Sequence, residues 1–205
     1  MSRRLGVLIS GRGSNLRAIL AAIRSGELVA DIAVVVSSRP EADGLAFARS
    51  ESIEAVVLRP RDYPDRHAYD GAIAETLRAR GVDLVCLAGF MRLVGPPLLE
   101  AFPDRILNIH PALLPAFPGL DAQTQAVDYG VRVSGATVHI VTAGLDDGPI
   151  VLQAVVPVLD NDTPASLAAR ILVEEHKLYP AAIKLVLDGA WHLEGRRFIR
   201  EASAR

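Results

Sequence analysis

The 205-residue chain has a single cysteine, one tryptophan and only 5% aromatic residues. Cys86 has no partner within the chain, which excludes an internal disulfide framework. Its place in the apolar run VDLVCLAGF marks it as core and argues for a reducing, cytoplasmic location. No apolar run approaches the roughly 18 residues that cross a bilayer. The opening MSRRLGVLIS sets basic residues before an apolar stretch, as a signal peptide does. That stretch is too short and runs directly into a glycine loop, so it reads as a first strand. Charge of one sign is also lacking: the net charge is −2, which fits neither a disordered nor a nucleic-acid-coating chain. Only two basic residues are lysines, Lys177 and Lys184, and no functional conclusion follows from that. Half the residues are apolar, enough to bury a core without staples. With no repeat, low-complexity linker or boundary signal, 1–205 reads as a single domain.

Apolar, β-branched runs alternate with helix-patterned segments. Strands are expected at Leu5–Ser10, Ile32–Ser37, Ala55–Leu58, Leu84–Ala88 and Ile106–His110. Helices are expected at Asn15–Ser25, Ala42–Ser50, Asp65–Arg80 and Pro96–Phe102. Strands apolar along their whole length need helices on both faces, as in a parallel sheet. After Gly130 the pattern changes: Gly135–Thr142 alternates, and Ile150–Val158 follows a tight LDDGP turn. The fold class is therefore α/β: an open, mostly parallel, Rossmann-like sheet flanked by helices, with antiparallel edge strands near the C-terminal third. A last long helix has Thr163 as cap, Pro164 at its first position and a stop at Asp188-Gly189. Pro180 inside it predicts a kink or a restart. Trp191–Ile199 reads as a short hairpin around Glu194-Gly195.

Ligands of open parallel sheets bind beyond the carboxyl ends of strands, where the strand order reverses. With the order 3-2-1-4-5, that point lies between the first and fourth strands. SGRGSN, GFMRLV and NIHPALLP would converge there. In Ser10–Asn15, glycines admit an anion and the following helix start presents free N–H groups, which suits a phosphate monoester. The loop is neither a Walker loop nor a dinucleotide fingerprint, because Leu16 stands at the third glycine position. On its own it is as often a simple tight turn. Asn108 and His110 are two apart on a strand and so share a face. Asn can donate to an oxyanion and His can move a proton near neutral pH. With a carboxylate from the LDDGP turn, this suggests acyl transfer, although a lone His at a strand end is more often structural. His139, in ATVHIV, shows no comparable partners and reads as structural. Glu175 shares a helical face with Ile171 and Leu178, so it either faces a ligand or lies at the edge of an apolar stripe.

Taken together, VLISGRGSNL, LAGFMRLV, LNIHPALLPAFPGL, GATVHIV, LDDGPIVLQ and EEHKLYP closely resemble the folate-dependent phosphoribosylglycinamide formyltransferases over nearly the whole chain. The resemblance implies metal-free transfer of a formyl group from 10-formyltetrahydrofolate, as co-substrate, to the amine of phosphoribosylglycinamide in purine (IMP) biosynthesis. It implies that Asn108 binds the formyl oxygen and that His110 shuttles protons. Asp146 would orient His110 and raise its pKa. Gly13, Ser14 and Asn15 would hold the phosphoribosyl group, with Glu175 on the ribose side. Met91, Arg92, Leu93 and Val94, together with Asn108, would line the folate pocket. Ala143, Gly144, Leu145 and Asp146 would close it, and Arg66 would meet the folate tail. The family's Leu-Pro also marks Leu114-Pro115 as a cis candidate, in a proline-stiffened segment expected to lie over the site.

The chain departs from the usual family pattern in PGLDAQTQ, at Asp121, Gln123 and Thr124, and in the turn, where Asp147 replaces a glycine. Asp147 is expected to alter the turn or compete for the imidazole. Rival readings are a formyltetrahydrofolate hydrolase, expected to carry an extra N-terminal domain, and a methionyl-tRNA formyltransferase, expected to carry a C-terminal RNA-binding domain. A non-catalytic nucleotide-binding module would not need Asn108, His110 and Asp146 together. The expected partners are the two small molecules, with no nucleic acid and no membrane. A homodimer is among the states the sequence allows.

Overall fold

The computed structural model describes residues 3–201. The chain divides into two compact units, one ending at Asn108 and the other starting at Ile109. The first contains β1 (Arg4–Ile9), α1 (Ser14–Arg24), β2 (Asp31–Ser37), α2 (Asp43–Ser50), β3 (Ala55–Val57) and a 3-10 turn at Pro60–Asp62. It continues with α3 (Arg66–Arg78), β4 (Leu84–Leu87), α4 (Pro96–Ala101) and β5 (Ile106–His110), which carries the chain across the boundary. Its strands run in the order β3-β2-β1-β4-β5, and each neighbouring pair is parallel. The reversal between β1 and β4 is thus where the sequence places it. β4 and all of β1 after Arg4 are buried. Each large aliphatic side chain there contributes about 1.5–3 kcal/mol of hydrophobic stabilisation, which requires helices over both faces.

The second unit contains α5 (Ala122–Tyr129), β6 (Val133–Ile140), β7 (Ile150–Pro157), α6 (Pro164–Asp188), β8 (Trp191–Glu194) and β9 (Arg197–Arg200). β6 pairs antiparallel with β7, as the change of pattern after Gly130 predicts, and β8 antiparallel with β9, as the hairpin around Glu194-Gly195 predicts. α6 starts with a reciprocal cap. Thr163 Oγ1 accepts from Ser166 N–H at 3.2 Å, and Ser166 Oγ accepts from Thr163 N–H at 2.9 Å. That satisfies two of the N–H groups a helix start leaves open. Leu167 and Ile171 pack with Ala126, Ala136 and Val156 into one core cluster.

Two elements differ from expectation. α6 continues through Pro180 as one helix of 25 residues, without a restart. Pro180 is buried together with Tyr179, Ala182 and Ile183, and this packing offsets the lost backbone hydrogen bond. α5 was not anticipated, although Asp121 at its start is a residue type that caps helices. Asp121 sits there in the left-handed region at φ 56°, without a capping hydrogen bond. Among the described residues, no helix is long and apolar enough to cross a membrane.

Candidate active site

The loop after β1 is held by backbone. Ser10 N–H donates to Gly89 O at 3.1 Å, and Gly44 N–H donates to Gly11 O at 3.1 Å. Gly13 takes φ 72°, and a Cβ on it would lie 2.8 Å from Gly44 Cα. Two chain segments therefore touch through paired glycines, a contact no side chain permits. α1 begins after Gly13 without a side-chain cap. Its first-turn N–H groups, at Ser14 and Asn15, are disposed for an anion. Gly44 plays a part that the sequence did not reveal, since nothing local marks a glycine that must pack on another 31 residues away.

The segment after β4 meets the same loop, with Met91 N–H donating to Ser10 Oγ at 3.1 Å. Met91 and Leu93 are exposed, at 64% and 51%, whereas Val94 is buried. The Arg92 guanidinium lies 5.4 Å from the centre of the Tyr69 ring. Arg66 opens α3, its Nε 3.5 Å from Asp70 Oδ2. That same oxygen accepts from Gly95 N–H at 2.7 Å. Burial, opposed by these partners, raises the Asp70 pKa. Asn108 lies opposite Leu87 in the β4–β5 ladder, which sets it at the carboxyl end of the strand that leads into GFMRLV.

In the second unit a carboxylate stands between two imidazoles. Asp146 Oδ2 is 3.3 Å from His110 Nδ1, and Oδ1 is 3.6 Å from His139 Nε2. Asp146 Oδ2 also accepts from Gly119 N–H at 2.8 Å. His110 and His139 are 4% and 2% exposed. His110 Nε2 lies 2.8 Å from Phe117 O; since a carbonyl only accepts, that nitrogen carries the proton. The neutral ring then turns the Nδ1 lone pair toward Asp146, an arrangement that gains a charge-assisted hydrogen bond when the ring takes up a second proton.

Two expectations are corrected here. His139 does have a partner: β6 delivers its Nε2 to within 3.6 Å of Asp146 Oδ1, a tertiary pairing that strand alternation alone cannot show. The His110 pKa is lowered, not raised. Burial is the largest influence and outweighs the Phe117 carbonyl and the Asp146 charge, while His139 adds to the lowering. Asp146 stays ionised below the usual carboxylate range. Burial is the largest influence and opposes this, but the contact to His139, the Gly119 N–H and the neighbouring His110 together prevail.

The turn residues Ala143, Gly144 and Leu145 are exposed. Asp147 does not compete for the imidazole. Its Oδ1 accepts from Thr142 Oγ1, and a Cβ at Gly144 would fall 2.0 Å from its Oδ2. The carboxylate therefore occupies the space that Gly144 leaves open. Asp121 starts α5, and Gln123 and Thr124 lie within it. The Leu114-Pro115 bond is cis, and Leu114 N–H donates to Thr137 Oγ1 at 3.0 Å. Glu175 is only 8% exposed and lies in the middle of the apolar stripe of α6, not at its edge. Among the described residues, no group of three or more His, Cys, Asp and Glu side chains is placed to hold a metal ion.

The formyl transferase family model matches residues 3–183. The phosphoribosylglycinamide formyltransferase of Bacillus subtilis is 42% identical over 185 residues, which is 90% of this chain and 95% of the relative. The trifunctional purine biosynthetic protein adenosine-3 of Drosophila melanogaster is 42% identical over 189 residues, but this chain spans only 14% of its length. The crystal structure of glycinamide ribonucleotide transformylase 1 from Symbiobacterium toebii superposes with a TM-score of 0.94 at 58% identity, covering 96% of this chain and 93% of that one. The chain belongs to the formyl transferase family.

Proposed function

We propose that the protein transfers a formyl group from 10-formyltetrahydrofolate to the amine of phosphoribosylglycinamide. The observation that carries this reading is the contact of buried His110 with Asp146, at 3.3 Å, with His110 on the strand that also bears Asn108. The activity is assigned to 1–205 as one formyltransferase domain, since the family match runs across both units.

Attack of a neutral amine on the formyl carbon places negative charge on oxygen and positive charge on nitrogen. The Asn108 amide is the donor for the oxyanion. His110, held neutral by burial, is the group to accept the amine proton. The resulting imidazolium is stabilised by the adjacent Asp146 carboxylate. The ring then returns a proton to the departing folate nitrogen. For Nε2 to accept that proton, its bond to Phe117 O must yield and the neutral ring must take the tautomer that carries its hydrogen on Nδ1, donating to Asp146. Gly13, Ser14 and Asn15 are the groups for the phosphate, with Glu175 for the ribose. Met91, Arg92, Leu93 and Val94 form one folate wall, Ala143–Asp146 the closing turn, and Arg66 the contact to the tail.

The test is formyl transfer measured with phosphoribosylglycinamide present and absent. Donor consumption that depends on the amine, with formylated product, is expected. Equal release of formate without the amine would make the protein a hydrolase and overturn the reading.

A further inference from the structure

Residues 91–95, between β4 and α4, form no regular secondary structure, yet the proposed reaction uses them as one wall for the donor. We infer that Asp70, on α3, is the positioning residue of that wall, holding its far end through Gly95. The inference rests on the proposed function and adds to it a buried residue outside the wall itself.

The segment is tied at both ends by side chains. At the near end Met91 N–H donates to Ser10 Oγ at 3.1 Å, and at the far end Gly95 N–H donates to Asp70 Oδ2 at 2.7 Å. Between these points, among the described residues, the N–H groups of Arg92, Leu93 and Val94 make no hydrogen bond within the protein. Backbone donors left open in this way go to water or to a ligand. The end contacts therefore decide where the open donors lie. Tyr69, the neighbour of Asp70 in sequence, sets its ring 5.4 Å from the Arg92 guanidinium, so α3 meets the segment at a second point.

The contact at Gly95 is close because that residue is a glycine. A Cβ there would lie 2.6 Å from Asp70 Oδ2, so no larger residue would let the carboxylate reach this backbone. Asp70 is only 1% exposed. Withdrawing a carboxylate from water disfavours the folded state unless its partners compensate. Its printed neighbours are one N–H and Arg66 Nε, the latter at 3.5 Å on a side chain that is half exposed. Packing α3 against α4 does not call for a charge. An oxygen that fixes the Gly95 amide does.

The experiment measures both KM values in Asp70→Ala, Asp70→Asn and Gly95→Ala. Calorimetric titrations with tetrahydrofolate and with tetrahydropteroate, which lacks the glutamate, run alongside. Asp70→Ala should raise the donor KM, and weaken binding of both ligands, by about tenfold, the worth of one hydrogen bond to a charged group. The KM for phosphoribosylglycinamide and kcat should hold. Asp70→Asn keeps an oxygen for the Gly95 amide and should recover most of the loss. Gly95→Ala displaces the carboxylate without removing it, so it should reproduce the loss, and it reads the same contact if Asp70→Ala does not fold. Equal rises in both KM values would show a general structural role and overturn the inference. A loss seen with tetrahydrofolate but not with tetrahydropteroate would also overturn it, by routing Asp70 through Arg66. If the unsubstituted enzyme binds tetrahydrofolate and transfers formyl, and the variants match it, the inference alone fails. If the unsubstituted enzyme does neither, the proposed reaction fails, and the inference with it.

Discussion

The glycine loop after β1 and the cluster around Asp146 handle charge in opposite ways. The loop brings backbone N–H groups to an uncapped helix start, and its one ionisable side chain, Arg12, is exposed. Around Asp146 the ionisable groups are themselves withdrawn from water: two buried imidazoles share one carboxylate. The first region is built by close approach of backbone, the second by placement of charge. Substitutions in the loop should therefore act on stability and substrate binding. Substitutions in the cluster should act on the chemical step.

The largest effect should come from Asp146→Asn. Asp146 has φ 49°, a conformation Asn tolerates, so the change removes charge with little backbone strain. kcat should fall by about three to four orders of magnitude, the range for loss of a residue that orients a catalytic imidazole, with little change in either KM. His139→Gln should lower kcat by about tenfold, the cost of losing one charge-assisted contact to the carboxylate. A kcat unaffected by Asp146→Asn would break the comparison outright.

Gly44→Ala probes the other region. A Cβ there would meet Ile9 Cδ1 at 2.6 Å and Gly13 Cα at 3.1 Å. Overpacking of this kind costs about 1–3 kcal/mol, which for a chain of this size lowers Tm by several degrees. The KM for phosphoribosylglycinamide should rise while the donor KM holds. Gly13→Val would be a poorer probe, since its strain at φ 72° mixes folding with phosphate contact. A donor KM that rose as much would assign the loop to the wrong substrate.

The lowered His110 pKa makes stability depend on pH in a definite sense. The folded protein resists protonating a ring that the unfolded chain protonates near pH 6.5. This contribution is complete above about pH 6.5 and is lost as pH falls toward the folded value. His176, lowered by burial, acts in the same sense. The depressed Asp146 carboxyl contributes in a separate window, lost only as pH falls below about 4 toward its folded value. His110→Gln should thus flatten the fall of Tm between about pH 6.5 and 5. An unchanged slope would show that burial does not lower the pKa of this ring.

What was legible in the sequence follows the range of the interaction. β5 was read from an apolar run of five residues, the shared face of Asn108 and His110 from their spacing of two, and the β1 loop from adjacent glycines, because all depend on near neighbours. The Gly13–Gly44 contact and the His139–Asp146 pair were not, since each needs the fold to bring distant residues together. α5 was missed although its start is local: Asp121 is a residue type that caps helices, but it stands left-handed and makes no cap. The direction of the His110 pKa turned on burial against charge. Only coordinates decide that balance.

The smallest expected effect is at Asp147, and it tests whether the turn belongs with the charge cluster or with the backbone-built region. Asp147 neighbours Asp146 in sequence, yet its oxygen turns to Thr142 Oγ1 and fills the space beside Gly144. If it acts by bracing, Asp147→Gly should loosen Ala143–Asp146 and raise the donor KM by a few-fold. One exposed hydrogen bond contributes about 0.5–1.5 kcal/mol. kcat and its pH profile should stay put, because the His110 environment is untouched. Asp147→Asn, which retains an acceptor for the Thr142 hydroxyl, should restore most of the loss, and Thr142→Val should reproduce it. A shift in the pH profile of kcat on removing the Asp147 charge would instead place this carboxylate among the groups that tune the imidazoles, and the boundary drawn between the two regions would move to include it.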